Sequence, residues 1–252
     1  MRIEVKITTQ NQAIVLPSSH NHILQGFIYS LMEASLRRKI HEQGFQYEKR
    51  KFRLFTFSRL YGKFRNIDNQ FHFTPPVKLI ISSSQKEILQ SIAENLVKTD
   101  KFYIGKNEVF IESINVLPQP QFRDKLIIKM LSPVTCYSTL KKADGRKKTY
   151  YYSPFEQEFP LFIKENLRKK FKLIYGSDNC FEFNISPYRV SARDEKIIIY
   201  NRNNKDKGTV IKGWMGLYEI SGSKKALELA YDVGLGAKNS QGFGCWEAIN
   251  NN

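Results

Sequence analysis

The sequence predicts an α+β fold of two tandem β-α-β-β-α-β units, the ferredoxin-like arrangement, with a C-terminal glycine-rich loop. Three observations predict it. Strand-like and helix-like patterns follow one another in the same order in both halves of the 252 residues. Pro118 and Pro120 mark a hinge between the halves. Near the end of the chain, four glycines fall within eleven residues: Gly234, Gly236, Gly242 and Gly244.

The first half, residues 1–118, contains one complete unit. Apolar and polar residues alternate from Ile3 to Thr8, which predicts the first strand. An apolar stripe predicts a helix from about residue 20 to 38, broken before a short turn that ends at Gly44. Further strands are predicted at 53–58, 70–83 and 108–117, with an amphipathic helix at 85–98.

The second half, residues 122–252, repeats the order. The patterns predict a strand at 125–137, a helix at 155–171 and a hairpin of 181–193 with 196–202. Residues 209–220 either continue that hairpin or form the third strand. Residues 221–233 predict a helix capped by Ser221 or Ser223, and 243–249 predict a terminal strand.

Composition and cysteine content narrow the class of protein. A chain with 41% hydrophobic residues can bury one large core or two smaller ones. No apolar run reaches about 18 residues and the first residues lack an apolar signal core, so neither a membrane span nor a membrane partner is expected. Three widely spaced cysteines predict a reduced, cytoplasmic protein whose thiols pack as small residues and form no zinc site.

The net charge of +16 is concentrated in one segment. Between Arg37 and Arg65 there are ten Lys or Arg and two acidic residues, with seven aromatic residues interleaved. Basic side chains neutralise phosphates and aromatic rings stack on unpaired bases, so the segment favours nucleic acid over a merely solvated basic face. A second basic cluster, residues 141–152, is expected to be a flexible contact loop. The candidate contacts in the two clusters are Arg37, Arg38, Lys49, Arg50, Arg53, Lys147 and Lys148.

The glycine-rich loop can bring backbone N–H groups close to an anion. It lies between a predicted helix and a predicted strand, whereas a dinucleotide fingerprint runs from strand to helix, and no P-loop motif occurs. Nucleotide cofactors are therefore disfavoured. The alternative is that the glycines serve backbone geometry alone. The candidate RNA contacts in the loop are Gly234, Gly236, Lys238, Asn239, Ser240, Gln241 and Gly242.

Several segments together resemble the RAMP superfamily, and within it the CRISPR repeat-processing endoribonucleases. They are LPSSHNHILQGFIYSL (16–31), HEQG (41–44), FRLFTFSRL (52–60), FIESINVL (110–117), LSPV (131–134) and VGLGAKNSQGFG (233–244). The resemblance implies cofactor-free, metal-independent cleavage of CRISPR precursor RNA within its repeats. In that chemistry the ribose 2′-hydroxyl attacks phosphorus, leaving a 2′,3′-cyclic phosphate and a 5′-hydroxyl. It also implies that precursor and product RNA are partners, with CRISPR effector subunits and a second copy of the chain as further expectations.

The resemblance places catalysis in the first half of the chain. His41 matches the family's catalytic histidine, and an imidazole side chain can exchange a proton near neutral pH. Tyr29 matches an active-site tyrosine; its helical angle puts it away from the apolar face, so it need not be core. Lys51 is expected to stabilise transition-state charge, with Arg53 as its competitor, and His22 is the substitute if His41 is remote.

Two other histidines are expected to be non-catalytic. His20 opens the first helix, where a structural role is expected, and His72 is a surface or RNA-contact residue. The alternative to an enzyme is a non-catalytic subunit of the same superfamily that holds guide RNA.

Overall fold

The computed structural model describes residues 1–141, 145–200 and 208–249. The centre of the predicted contact loop (142–144) and the end of the predicted strand 196–202 lie outside these ranges.

The first half folds around one sheet with helices on one side. Its helices are α1 (Asn21–Ser30), α2 (Ala34–Arg38) and α3 (Lys86–Lys98), and a π-helical turn, Lys39–Gln43, follows α2. Its strands are β1 (Arg2–Thr8), β2 (Ile14–Pro17), β3 (Phe45–Tyr47), β4 (Arg50–Phe52), β5 (Phe55–Phe57), β6 (Phe64–Ile67), β7 (Gln70–Phe73), β8 (Val77–Ser83), β9 (Phe102–Ile104) and β10 (Asn107–Val116).

The second half repeats the plan with two added hairpins. Its helices are α4 (Glu158–Tyr175) and α5 (Lys224–Val233). Its strands are β11 (Lys125–Met130), β12 (Tyr137–Lys141), β13 (Lys147–Tyr151), β14 (Phe183–Arg189), β15 (Glu195–Tyr200), β16 (Thr209–Trp214), β17 (Leu217–Gly222) and β18 (Trp246–Ala248).

Both sheets have the ferredoxin-like strand order. The first sheet runs β5-β8-β1-β10-β9 and the second runs β14-β17-β11-β18. In each unit the first strand, β1 or β11, therefore lies between the third strand (β8 or β17) and the fourth strand (β10 or β18). The hairpins β12–β13 and β15–β16 are insertions outside the second sheet. Two tandem ferredoxin-like units are therefore confirmed as the fold.

Each sheet buries its inner face under its own helices. In the first half Ile3, Val5 and Ile7 alternate inward along β1 and are fully buried. The four buried apolar residues of α3 form one helical stripe. A separate apolar cluster contains the inner residues of β11, β14, β17, α4 and α5.

Buried polar contacts join the two halves. The Arg2 guanidinium donates to the Trp246 and Tyr231 carbonyls at 2.6 and 2.7 Å, and it lies 3.5 Å from the Tyr231 ring centroid. Thr56 Oγ1 on β5 donates to the Phe243 carbonyl at 2.9 Å. These bonds position the end of the glycine loop against the first sheet.

The structure corrects the strands predicted at 70–83 and 125–137. The first is two strands, because Pro75 and Pro76 lack the N–H groups a ladder needs and separate β7 from β8. The second ends at Met130, where the chain leaves the sheet, and β12 begins at Tyr137. The helix predicted at 155–171 starts and ends later, closing at Gly176 in the left-handed region (φ 78°).

The predicted hairpin of 181–193 with 196–202 is wrong. β14 pairs with β17, and β15 pairs with β16. The buried side chains of Phe183 and Ile185 hold β14 in the main sheet, so its partner is distant in sequence. Residues 209–220 fall in two strands, and the described residues of the predicted contact loop at 141–152 include β13, which pairs with β12.

Candidate active site and RNA-facing cleft

The rings of His41 and Tyr29 are in contact. His41 lies on the exposed side of the π-helical turn, and its ring meets the Tyr29 ring edge-on with centroids 5.2 Å apart. Tyr29 also packs edge-on against Phe55 at 5.6 Å and is only 7% exposed. The expectation that Tyr29 need not be core is therefore wrong: the π-helical turn and β5 cover a side of α1 that the helical angle alone leaves open.

Backbone geometry sets the position of the His41 turn. Gly44 ends it at φ +61°, and a Cβ there would lie 2.7 Å from the Phe52 carbonyl oxygen, so the chain can fold back closely only with glycine. Arg53 Nη2 donates to the His41 carbonyl at 2.8 Å. Lys51 Nζ donates to the Glu42 carbonyl at 3.2 Å. Both cations therefore stabilise the turn through its carbonyl groups.

The two rings open onto a cavity of about 490 Å³, which we call the His41 cavity. Its lining residues are His22, Gln25, Gly26, Tyr29, Ala34, Arg37, Arg38, His41, Glu42 and Tyr200. Lys51 does not line it, so the cations that the described residues bring to the cavity are Arg37 and Arg38. His22 lies in the same cavity, and burial lowers the pKa of its imidazole, which favours the neutral ring.

Sequence reasoning missed Gln25 and Tyr200. The Tyr200 hydroxyl bonds the Gln25 amide oxygen, and the Tyr200 ring meets the His22 ring edge-on at 6.1 Å. Gln25 Nε2 donates to the Ser240 carbonyl at 2.6 Å. Gln25 lies four residues before Tyr29 and could have been placed on its helical stripe. Nothing in the local pattern of 196–202 indicated that Tyr200 would reach α1.

The other histidines match their predicted roles in part. His20 is buried, its Nδ1 lies 2.9 Å from the Pro17 carbonyl, and burial lowers its pKa to about 4. This is a structural role, as expected. His72 is half-buried on β7, away from the His41 cavity.

The glycines of the loop bring protein backbone against protein backbone. A Cβ on Gly244 would lie 1.9 Å from the Leu235 carbonyl oxygen, and one on Gly236 would lie 2.4 Å from that of Thr135. Most of the loop's N–H groups also have internal acceptors. Backbone carbonyls accept from the N–H groups of Gly234, Leu235, Ala237, Gln241, Gly242 and Gly244. The N–H groups of Gly234 and Gly242 are therefore already bonded within the protein, and the close approach at Gly236 shows that the glycines serve backbone geometry. Contact of the loop with RNA stays a prediction.

Asn239 also turns inward. Its Nδ2 donates to the carbonyls of Leu235 and Phe243, each at 3.0 Å, so its amide braces the loop. The loop in turn holds α1, because Asn21 and Gln25 donate to its carbonyls. The loop therefore connects the second half of the chain to the helix that carries Tyr29.

A buried lysine that the sequence did not indicate lies under the loop. Lys170 on α4 is 2% exposed, and its Nζ donates to the carbonyls of Gly234 and Gly236, each at 3.1 Å, and to Asn239 Oδ1 at 2.6 Å. Burial lowers the pKa of Lys170 to about 7. Three oxygen acceptors match the three donors of an ammonium group, which opposes that effect.

A second cavity of about 490 Å³, which we call the α4 cleft, lies beside the loop. Its lining residues are Arg50, Lys51, Phe52, Arg53, Leu54, Phe55, Cys136, Tyr137, Thr139, Phe162, Asn166, Lys170, Val233, Ala237, Lys238, Asn239, Ser240 and Gln241. Lys238 lies over the Tyr137 ring, 5.1 Å from its centroid, and burial lowers its pKa. Lys49, Lys147 and Lys148 are exposed outside the cleft.

Comparison with known proteins identifies the family. Residues 15–115 match the N-terminal family model of the CRISPR-associated protein Cas6, and residues 117–248 match the C-terminal one. A protein from Methanocaldococcus jannaschii, named CRISPR-associated endoribonuclease Cas6 1, is 32% identical over 97% of this chain and 91% of its own length. The chain belongs to the Cas6 family.

Other Cas6 proteins extend the match. The CRISPR-associated endoribonuclease Cas6 of Pyrococcus furiosus is 24% identical over 97% of this chain and 88% of its own. A structure of a Cas6-related protein from the same organism superposes with a TM-score of 0.84 at 24% identity, covering 100% and 99% of the two chains. A structure described as a RAMP protein binding different RNA substrates gives 0.82 at 21% identity, covering 99% and 100%. These superpositions show a shared Cas6 fold.

Three further findings concern the described part of this Cas6 chain. There, His, Cys, Asp and Glu side chains do not gather in groups of three or more that could hold a metal ion. Its helices are all too short or too polar to cross a bilayer. Cys136 and Cys245 are buried free thiols, as the small-residue packing prediction expected, whereas Cys180 is exposed.

Proposed function

We propose that this Cas6 protein is an endoribonuclease that cleaves CRISPR precursor RNA within its repeats. The observation that carries the proposal is the contact of the His41 and Tyr29 rings at a cavity lined by two arginines. Similarity supports it, since the relatives from M. jannaschii and P. furiosus are named CRISPR-associated endoribonucleases. The exposed basic segment that surrounds the cavity suits an RNA substrate.

In the proposed mechanism the ribose 2′-hydroxyl beside the scissile bond attacks phosphorus. Its proton passes to a base, the bond to the 5′-oxygen breaks, and that oxygen takes a proton from an acid. The products carry a 2′,3′-cyclic phosphate and a 5′-hydroxyl, and no metal ion takes part. General acid–base catalysis of this kind contributes about 10²–10⁴-fold in rate.

His41 carries one of the two proton transfers. Its ring is exposed to the cavity. The turn on which it lies is held by the Tyr29 ring and by hydrogen bonds that the Arg53 and Lys51 side chains donate to carbonyl groups of the turn. His22 lines the same cavity and is the candidate for the second transfer, because a neutral imidazole can accept a proton.

Arg37 and Arg38 are the proposed source of positive charge on the phosphoryl oxygens. Both are exposed residues of α2 that line the His41 cavity. A guanidinium suits this role because it presents several N–H donors in one plane to phosphate oxygens. Lys51 keeps a positioning role through the Glu42 carbonyl.

Cleavage of labelled repeat RNA in EDTA tests the proposal. The wild-type protein is expected to cut within the repeat, His41→Ala to lose nearly all cutting, and His72→Ala to cut like the wild type. His72 is the matched control because it is a histidine outside the cavity. Failure of the wild type to cut any repeat RNA, or equal cutting by His41→Ala, would overturn the proposal.

The second candidate function is RNA holding without cleavage. It is favoured by one observation: among the described residues, no lysine lines the His41 cavity. A relative from P. furiosus at 25% identity carries the name putative endoribonuclease-like protein. Tight binding of repeat RNA with no cleavage would select this function. In either case precursor and product RNA are the proposed partners, with CRISPR effector subunits and a second copy as further ones.

A further inference from the structure

The α4 cleft has uncharged polar groups beneath a basic rim. Phe162, Asn166 and Lys170 are spaced by four residues on α4, so they form one stripe along the cleft wall. Lys170 is fully engaged by the glycine loop. Asn166 is therefore the polar side chain of the stripe that remains available to a ligand.

Two amide oxygens in the cleft have unused acceptor capacity. Asn166 Oδ1 and Gln241 Oε1 are both shielded from solvent, and neither has a hydrogen-bond partner among the described residues. Leaving a buried polar atom without a partner is unfavourable, and a ligand that supplies a donor removes that cost. Phosphate oxygens only accept hydrogen bonds from protein, so the donors that RNA can offer these two atoms are a ribose 2′-hydroxyl or the N–H groups of a base. An exocyclic amino group carries two N–H donors and so matches two acceptors.

The rim of the cleft supplies an aromatic surface and positive charge. The Tyr137 ring is 36% exposed, with the Lys238 ammonium over it. Phe162 carries Tyr152 stacked on it at 4.7 Å, which fixes its ring at the wall. Arg50 and Lys51 also line the cleft. Aromatic rings and guanidinium planes stack on unpaired bases, and the cations neutralise the flanking phosphates.

We propose that the α4 cleft binds one unpaired base of the repeat RNA, and that this base bears an exocyclic amino group. The amino group donates to Asn166 Oδ1 and Gln241 Oε1, while Tyr137 contacts the base. This inference rests on the proposed function only in taking repeat RNA as the ligand. It gives the glycine loop a direct part in reading sequence, through Gln241, in addition to its hold on α1.

The inference is tested by measuring whether removal of a single base and replacement of a single side chain have coupled effects on RNA binding. Repeat RNAs with one abasic nucleotide at each position in turn are bound to the His41→Ala protein and to the same protein carrying Asn166→Leu or Gln241→Met. Both replacements keep side-chain shape and remove the acceptor. Gln90→Met, an exposed amide of α3, is the matched control. Thermal unfolding checks that each variant is folded.

At one position, loss of the base is expected to weaken binding to the parent and to Gln90→Met by about tenfold, the range typical of one stacked base. The same loss should change binding to Asn166→Leu and Gln241→Met by less than about twofold. Replacing that nucleotide's amino group with hydrogen should reproduce much of the loss. The inference would be overturned if the effects of base loss and of side-chain replacement on binding were additive at every position. It would also be overturned if the replacements weakened binding of all RNAs equally, because that result indicates contact with the RNA backbone only. Cleavage by the wild type is scored separately, so either proposal can fail alone.

Discussion

At the scale of the residue, the site depends on contacts made to a few side chains from several directions. Tyr29 is covered by the π-helical turn and by Phe55, while Gln25 one turn earlier meets the glycine loop and Tyr200. The helix that bears them is therefore held on both flanks. Small errors in its position would move His41 relative to the RNA, and misplacement of about 1 Å can cost about 100-fold in rate.

His41→Ala is expected to lower the single-turnover cleavage rate by about 10²–10⁴-fold, the usual contribution of one general acid or base. Binding of repeat RNA should change by less than about twofold, because the side chain is exposed and holds no other element. Rapid-quench cleavage and filter binding measure the two quantities. A parallel loss of both would show that His41 binds RNA and does not transfer a proton.

Tyr29→Phe separates the hydroxyl from the ring. The ring contacts with His41 and Phe55 remain, so the free energy of unfolding should change by less than about 1.5 kcal/mol. If the hydroxyl orients the 2′-oxygen, cleavage should fall about tenfold with unchanged RNA affinity. Unaltered cleavage would assign Tyr29 to packing alone.

Lys170 predicts a pH dependence of stability. The pKa of lysine is near 10.4 in an unfolded chain, and burial lowers the pKa of Lys170 in the folded chain to about 7. Between these pH values the unfolded chain therefore binds the extra proton. The free energy of unfolding of the wild type should therefore rise relative to Lys170→Met by up to about 1.4 kcal/mol per pH unit from about pH 7 to 10. Chemical unfolding measures it, with Lys169→Met as the control on the same helix. Parallel curves for wild type and Lys170→Met would contradict a depressed pKa.

A local motif carried the information for two residues of the candidate site, whose catalytic roles stay a prediction. The resemblance around 41–44 and the stripe of α1 placed His41 and Tyr29, which the structure brings into contact. Lys170 could not be found in this way, and for Gln25 the stripe of α1 gives the position of the side chain but not its bonding partner. Their partners are 64 to 69 and 215 residues away in sequence, and no local period records such contacts.

At the scale of the element, the glycine loop is a packed connector. Its glycines let it pass close to Thr135, Leu235 and Phe57, and its carbonyls accept bonds from α1 and Lys170. The helix-to-strand setting was visible in the sequence. The partners of its N–H groups were not, because they are backbone carbonyls whose positions depend on the whole fold.

Gly244→Ala tests this account against a matched glycine. Gly244 and Gly176 share a φ of +78°, but a Cβ on Gly244 would lie 1.9 Å from the Leu235 carbonyl oxygen, whereas a Cβ on Gly176 meets nothing within 4 Å. Gly176→Ala should cost about 1–2 kcal/mol of the free energy of unfolding, from backbone strain alone. Gly244→Ala should cost at least about 2 kcal/mol more, in the range of severe packing defects. Equal costs in urea unfolding would show that close packing is not why the glycine is there.

Strand pairing was the element-level property that the sequence conveyed least. The alternation of apolar and polar residues predicts the position of most strands to within a few residues. It wrongly predicts that β14 pairs with β15, whereas β14 pairs with β17 and β15 forms a separate hairpin with β16. Sequence neighbours often pair, and a hairpin inserted between two strands of the main sheet breaks that rule.

At the scale of the whole molecule, the fold places much of the positive charge beside the two cavities. Both sheets share one strand order, and cations of the basic segment 37–65 line both the α4 cleft and the His41 cavity. Lys147 and Lys148 extend exposed positive charge along β13. The net charge of +16 therefore has a surface on which an RNA strand can lie.

Salt dependence of RNA binding measures how much of that surface is used. Lys147→Ala and Lys148→Ala should each weaken binding of every repeat RNA alike and reduce the slope of log affinity against log salt by about 0.7–1. Lys98→Ala on α3, outside both cavities, is the control and should leave the slope unchanged. An unchanged slope in the β13 variants would place the RNA elsewhere.

We propose that this Cas6 protein cuts repeat RNA by 2′-hydroxyl attack at the His41 cavity. Mass spectrometry of the upstream product, formed in EDTA from a single defined repeat RNA, tests it most directly. A mass corresponding to a terminal 2′,3′-cyclic phosphate is predicted, and cutting should stop when the scissile 2′-hydroxyl is replaced by hydrogen. A product ending in a 3′-hydroxyl, or cutting that survives the 2′-deoxy replacement, would contradict the account.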